Sequence, residues 1–425
     1  MTKTSRTPLA AFPAALACAA ALALAAAAAP ATAAAADWPM FRGPGATGVS
    51  PETGLLEAWP EGGPRQLWRV PLGEGYSALS VADGRLYTLF ADAENELVVA
   101  LDAATGKEVW RHRLDAKYFD GQGNGPRSTP TVHEGTVYAY GARAKLAALD
   151  AATGKVLWTQ DLKKSFGSRP PQWGVAASPR VVGDLLLIDA GGRDGASIVA
   201  LDRRSGVVEW TAGSDLAGYS TPLVAEIGGR RIAVFFTGTK IVGLDPSDGT
   251  IHWSKGWETS YDVNAAAPVF VPPNRVFISS GYGVGAVLLE IEVAGEKVRA
   301  QEVWRTKGMK NQFSSSVYHD GAIYGFDQSI LKALDAATGE ELWKARGFGH
   351  GSLMIADGHL YVLSDRGTLA LVEATPETYK EVARFEPLDG KCWTMPSIAG
   401  GKLFVRDEEE VAAYDIAEET RRAAR

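Results

Sequence analysis

The chain has 425 residues, 46% of them hydrophobic and 22% charged, a composition that excludes a disordered protein and allows a large core. The formal charge is −7, and setting aside Lys3 and Arg6 of the leader described next leaves it near −9. An acidic protein of this kind is not built to bind nucleic acid or an anionic membrane surface.

Residues 1–36 read as a secretory signal peptide. "MTKTSRT" carries two positive charges, "LAAFPAALACAAALALAAAAA" is apolar, and "ATAAAA" offers A-x-A cleavage sites before Asp37. Alanine is only weakly apolar and Pro13 and Pro30 interrupt the run, so no transmembrane segment is expected once the leader is removed. Cys18 sits in "ALAC" with the long apolar run after it, a poor lipoprotein signal. Without the leader Cys392 is the one remaining thiol, so no intramolecular disulfide can form and burial must hold the fold.

Residues 37–64 form an N-terminal extension containing "WPMFRGP", followed by "RQLWRV" (65–70) with Trp68. Next comes "LVVALDAATGKEVW", and "ALDAATG" recurs letter for letter at 100–106, 148–154 and 333–339. "ALDRRSGVVEW" (200–210) and "GLDPSDGTIHW" (243–253) are relaxed copies. Five Asp–Trp pairs share one spacing: Asp102/Trp110, Asp150/Trp158, Asp202/Trp210, Asp245/Trp253 and Asp335/Trp343. In each pair Gly stands four residues before Trp. Degenerate copies lie at 288–304, with Glu290 and a longer hairpin, and at 370–385, ending in Phe385. "AAYDI" (412–416) is a front half with no Trp after it, and 417–425 is a C-terminal tail.

Each front half is a short apolar run ended by Asp and Gly, as expected of a strand buried on both faces. "DAATG" reads as a tight turn in which Asp accepts from backbone N–H groups. Upstream, stretches such as "SALSVADGRLYTLF" read strand, Gly turn, strand. Four strands per repeat at a period of about 38–52 residues describe a propeller blade. Eight front halves and eight back halves, with the unmatched halves at opposite ends, predict an all-β, eight-bladed ring of four-stranded antiparallel blades over 65–416. In that ring "RQLWRV" pairs with "EVAAYDI" and closes the last blade.

The repeat "ALDAATGKEVW" resembles that of the pyrroloquinoline-quinone-type (PQQ-like) β-propellers, over about 65–416. That superfamily includes quinoprotein alcohol dehydrogenases and the scaffold lipoprotein of the outer-membrane assembly machinery. "DWPMFRGPGATGVS", "SYDVNAAAPV", "GHGSLMIADG" and "GKCWTMPSI" are similar to secreted bacterial members without a settled function. The resemblance implies a periplasmic or extracellular protein, and a non-catalytic binding or scaffold role. The alternative it implies is a PQQ-dependent oxidoreductase or a cofactor-binding propeller, with calcium beside the quinone. Two departures bear on that alternative. The dehydrogenases carry adjacent cysteines where this chain offers only Cys392, and the nearest calcium constellation is Asp262 with Asn264.

Other chemistry is missing. The six histidines are scattered, with no H-E-x-x-H, C-x-x-C or G-x-S-x-G. "GYGVGA" (281–286) runs into another strand, where a dinucleotide fingerprint needs a helix N-terminus, and reads as a hairpin turn. "RDEEEV" (406–411) reads as a solvated turn. The loops leading from each outer strand to the next blade's inner strand are richer: "FDGQGNGPRS", "SFGSRPPQWG", "WETSYDVNA", "GMKNQFS" and "DGKCWTM". They should surround the channel mouth, where ligands of closed rings sit. Asn124, Arg127, Arg169, Trp173, Asn264, Lys310, Asn311, Lys391 and Trp393 are the candidate contacts for a small anionic ligand or a protein partner. Asp262 and Asn264 are the candidate metal ligands. Ordinary loop chemistry, with aromatics plugging the channel and basics in solvent, fits the same residues.

Overall fold

The structure is a computed structural model whose description covers residues 37–418. The expected leader and residues 419–425 lie outside the described residues. Eight sheets follow one another along the chain, each with an antiparallel four-stranded blade. Blade 1 is Ser80–Ala82, Arg85–Ala91, Asn95–Asp102 and Glu108–Ala116, from the channel outward. Blades 2 to 7 repeat this plan, and the first strand of blade 1 touches the first strands of blades 2 and 8. The ring expected from the repeats is therefore the ring observed. "GYGVGA" is a turn between strands, as expected, and so is the centre of "RDEEEV", but Arg406 and Asp407 there are buried and not solvated.

The core is a series of layers between blades. Tyr138, Leu146, Ala148 and Trp158 of blade 2 pack on Leu186, Val199 and Leu201 of blade 3. Third strands such as Leu97–Leu101 are buried on both faces, because each blade is covered on either side by a neighbour.

The repeated sentence is a clasp between blades. Asp150 Oδ1 accepts from the backbone N–H of Thr153 at 2.8 Å and from its hydroxyl at 2.6 Å, which fixes the turn. Trp158 then leaves its own blade and lies on the turn of blade 3. Its indole N–H donates to the Arg203 carbonyl at 3.0 Å, and a Cβ on Gly206 would lie 2.7 Å from its ring. Gly206 also holds φ at +71°, so glycine is required there twice over. The indole donates likewise from Trp68 to Ala103, Trp110 to Ala151, Trp210 to Pro246, Trp304 to Ala336 and Trp343 to Thr375.

A β-bulge aims the ring. In blade 2, Trp158 faces Ala148 while Val156 faces Leu149, so Leu157 is left over and turns outward. The bulge adds local twist, and it explains why Leu157 is 54% exposed in an otherwise apolar strand. Val109, Val303 and Leu342 occupy the same place in other blades and are exposed for the same reason.

Closure follows the expected register. Arg65–Pro71 pairs antiparallel with Glu410–Asp415, Arg65 opposite Asp415 and Val70 opposite Val411, and becomes the outer strand of blade 8. Arg406 of blade 8 is fully buried and donates into blade 1, to Ser77 O (2.8 Å), Thr88 Oγ1 (2.9 Å) and Leu89 O (2.9 Å). Leu55 and Gly54 of the extension bond Ala417 and Glu418, tying down the start of the expected tail.

Glu96 is a buried acid at the seam of blades 1 and 2. One carboxyl oxygen accepts from Ala142 N–H at 3.1 Å and the other has no partner. Burial pushes its pKa up from 4.5 to about 7.

These contacts set three expectations. Trp158→Ala should cost about 3–5 kcal/mol, whereas Trp158→Phe, which keeps a ring but loses the bond to Arg203 and part of the buried area, should cost less, about 2 kcal/mol. Urea denaturation of the two variants checks the ratio. Deleting residues 37–71 should leave Glu410–Asp415 as an open strand edge, read as oligomers on size exclusion and a lowered melting temperature; a monomer of unchanged melting temperature would refute the seam. Glu96 has a raised folded pKa, so its contribution is complete below about pH 4.5 and is lost as pH rises through about 7. Glu96→Gln should thus be the more stable protein at pH 8, by on the order of 2 kcal/mol, and should flatten the fall in melting temperature between pH 5 and 8. Burial raises the pKa of Asp189 as well, so it contributes in the same direction.

Candidate functional site

The loops from outer to inner strands converge on one face, as their position in the repeat requires. They enclose a cavity of about 390 Å³ to which every blade contributes. Its walls carry Tyr76, Trp173, Tyr219, Phe313 and Trp393, with Arg127 among them. Trp393 stacks on Tyr76 at 5.2 Å and meets Phe313 at 4.9 Å, while Trp173 meets Tyr219 and Tyr261 at 6.0 Å each.

The other end of the channel is stopped by the N-terminal extension. Trp38 bridges Val81 of blade 1, and Pro39 O accepts from Val132 of blade 2. Val49–Ser50 adds to the inner strand Ser352–Ala356 of blade 7 in parallel. Glu52 accepts from Gly400 and Gly401 of blade 8. Phe41 and Arg42, between these anchors, form the floor of the cavity. The "WPMFRGP" segment is therefore a plug, and the channel is a cup open on the loop face.

Of the nine contact residues expected from sequence, Arg127, Trp173 and Trp393 line the cup. Arg127 stacks on Tyr118 at 4.7 Å, donates to Gly123 O at 2.6 Å, and lies 3.9 Å from Asp120. Burial lowers the pKa of its guanidinium. Lys391 sits at the rim beside the Trp393 ring, 4.5 Å away, donating to Tyr76 Oη (2.8 Å) and Gln122 O (3.0 Å) and pairing with Glu408 (3.3 Å). Burial and the Glu408 carboxylate together push the Tyr76 phenol up.

The other expected contacts lie away from the cup. Asn311 is buried, donating to Phe326 O and accepting from Ser316 Oγ, both at 2.9 Å. Asn124 braces its own loop, accepting from Asp120 N–H and donating to Glu74 at 3.0 Å. Lys310 pairs with Asp327 at 2.6 Å. Arg169 is exposed and makes no ion pair among the described residues.

The calcium pair fares differently from its expectation. Asn264 is 0% exposed, and its amide donates to Thr237 O, Gly238 O and Trp257 O at 2.9, 2.9 and 3.2 Å. It is a staple for its loop, and with Asp262 it does not make the six or more oxygens that calcium takes. Asp389, Asp407 and Glu410 bring carboxylate oxygens within 4.8 Å of one another. Those oxygens already serve the fold, however. Asp407 caps Glu409 and Glu410, and Glu410 pairs with Arg69. Cys392, beside Trp393 in sequence, is buried, its Sγ against Gly390 O at 3.6 Å, and desolvation pushes the thiol up, away from a nucleophilic thiolate.

Sequence reasoning did not assign roles to Phe41, Arg42, Tyr282 and His350, all of which line the cup. The first two were visible only as part of an extension with no periodicity, and Tyr282 as part of a turn.

Comparison with known proteins places the ring. A family profile described as "Outer membrane protein assembly factor BamB" matches residues 52–141, 94–330 and 327–422. The chain is 25% identical over 381 residues to the outer membrane protein assembly factor BamB of Burkholderia pseudomallei, covering 84% of this chain and 89% of that one. In fold it resembles BamB from Moraxella catarrhalis, with TM-score 0.59 and 17% identity, over 82% of this chain and 99% of that one. It also resembles the quinohemoprotein alcohol dehydrogenase ADHIIG of Pseudomonas putida HK5, with TM-score 0.54 and 13% identity, over 90% and 80%. Since the family profile spans nearly the whole closed ring, the chain belongs to the PQQ-like propeller family described by outer membrane protein assembly factor BamB.

Proposed function

We propose that this chain is an exported, non-catalytic scaffold propeller that takes part in outer-membrane protein assembly and docks protein partners on the loop face. The observation that carries this reading is the family match over residues 52–422, almost all of the propeller. The chemistry of the loop face agrees. Large apolar side chains stand in solvent there, Phe119 at 68% and Tyr261 at 67% exposed, with Leu216 exposed in another of these loops and Tyr282, in the blade 5 hairpin turn, 6.4 Å from Tyr261. Exposed aromatics are enriched at interfaces. The ionisable groups around them are engaged with one another: Lys391 with Glu408 and Tyr76, Lys310 with Asp327. Such engagement suits a fixed surface better than proton transfer. Export to the periplasm rests on the leader "MTKTSRTPLAAFPAALACAAALALAAAAAPATAAAA".

The test is complementation of a strain lacking the gene. Phe119→Asp with Tyr261→Asp should leave the melting temperature unchanged, because both side chains are in solvent, and should lower the amount of β-barrel protein in the outer membrane. Leu157→Asp with Val207→Asp, on the turn face, should do neither. The reverse pattern would move the docking surface to the turn face. Dye reduction by purified protein supplied with PQQ and calcium would replace the scaffold with an oxidoreductase.

A further inference from the structure

The plug meets the ring at one position where the repeat is broken. Arg180 begins the inner strand of blade 3, Arg180–Val182, directly after Pro179. The same place after proline holds Thr131 in blade 2, Leu223 in blade 4 and Val269 in blade 5, all buried. A short or apolar side chain therefore satisfies the blade there, and the repeat does not call for an arginine. Arg180 is nonetheless only 8% exposed. Among the described residues its guanidinium has a single acceptor, the thioether of Met40 in the plug, which Nη1 meets. Nε is buried without an acceptor. No carboxylate offsets the desolvation that lowers the pKa of the group.

Thioether sulfur is a weak acceptor, so a buried cation is left almost unsatisfied, which is unfavourable. The methionine is unusual as well. Met309, Met354 and Met395 are buried, whereas Met40 is partly exposed. Met40 is thus the methionine of the described residues that an oxidant in solvent reaches, and its sulfur lies against the unsatisfied cation. In an apolar core an oxygen added to sulfur is disruptive, because a polar group is then buried without partners. Beside Arg180 the added oxygen finds donors that lack an acceptor.

We propose that Met40 is a site of reversible oxidation, and that its sulfoxide latches the plug to blade 3 by accepting from Arg180. The oxidant is a peroxide. The sulfur attacks one peroxide oxygen, the O–O bond breaks, and that oxygen stays on sulfur. The other oxygen leaves as hydroxide and becomes water by taking the proton of the transferred one. Sulfur loses two electrons and the peroxide gains them. The flexible side chain of Met40 withdraws to admit the oxygen, and charge-assisted bonds from the guanidinium replace a weak contact. Methionine sulfoxide reductases reverse the step. The latch depends on no residue of the docking loops, so protein docking can fail while the latch stands.

Protein without its leader, treated with hydrogen peroxide and followed by peptide mass, tests the proposal. Met40 should gain one oxygen before Met309, Met354 or Met395 does. The melting temperature of the singly oxidised protein should then rise by about 2 °C, the effect of one charge-assisted bond on a chain of this size. Hydrogen exchange in residues 38–48 should slow as the plug opens less often. The reductases for both sulfoxide epimers should return both readings to their starting values. Met40→Leu should show neither shift under the same peroxide. Arg180→Leu, matching blade 4 at this place, should reverse the sign, so that oxidising Met40 lowers the melting temperature. If that variant does not fold, the comparison of the unaltered protein with Met40→Leu decides. Earlier oxidation of another methionine overturns the proposal. So does an unchanged or lowered melting temperature on oxidation of Met40, a shift the reductases do not undo, or the same shift in Met40→Leu or Arg180→Leu.

Discussion

The ring depends on one contact made again and again: an indole from one blade laid on the turn of the next. A four-stranded blade cannot stand alone, since both its faces are apolar and its outer strand is an edge. Burying those faces against neighbours supplies the energy, but apolar layers by themselves set no rotation between blades. The Trp does. Its ring fits where a glycine leaves room, 2.7 Å from a Cβ that is not there at Gly206, and its N–H finds the carbonyl next to the turn's Asp. The angle between blades is thereby fixed by a steric fit and a directional bond together. This explains the constancy of the Asp–Gly–Trp spacing. Asp shapes the turn that receives one ring, Gly admits that ring, and Trp is the ring offered onward.

Where the clasp changes, the structure compensates locally. Trp343 meets a turn without the usual glycine, and Tyr379 packs edge-on against it at 5.7 Å. Phe385 of blade 7 has no N–H to offer, and the extension covers it, with Trp59 edge-on at 5.1 Å and Gly63 against the ring. The chain is interrupted inside blade 8, where Glu410–Asp415 pairs with Arg65–Pro71. Arg406 of that blade adds a fully buried set of bonds to blade 1. The N-terminal extension thus covers blade 7 and floors the channel, and the strand that follows it, Arg65–Pro71, is the outer strand of blade 8.

The fold was legible because it is periodic. Spacing alone gave the turns, the Trp-bearing outer strands and the closing pair, since each physical demand recurs from blade to blade, whereas the bulge in those strands emerged only in the structure. The site was less legible because its demands occur once. Asn264 and Asn311 were chosen as polar loop residues free to meet a ligand, yet long loops leave backbone carbonyls without partners, and the nearest amide side chains satisfy them. Lys310 was absorbed in the same way by Asp327. The aromatic members did better, since Trp173 and Trp393 are too large for the loops to fold over completely. Arg42 carried no local sign at all. Its burial comes from Ser316, far along the chain, and only the closed ring brings the two together.

The two faces of the ring are accordingly unlike. The turn face is taken up by the clasp, so its residues are fixed by neighbours and it can vary little. The loop face is joined between blades by smaller devices: Thr129 Oγ1 accepts from Ala78 N–H, Ser178 Oγ from Thr129 N–H, and Thr221 Oγ1 from Ser178 N–H. Each hydroxyl needs only one short residue at the start of an inner strand, next to the channel. Residues outward of that stitch hold only their own loops, as Asn264 and Asn311 do, and are released from setting the angle between blades. The loops can then lengthen, carry Phe119 and Tyr261 into solvent, and line a cup, without disturbing the angle between blades that the opposite face maintains.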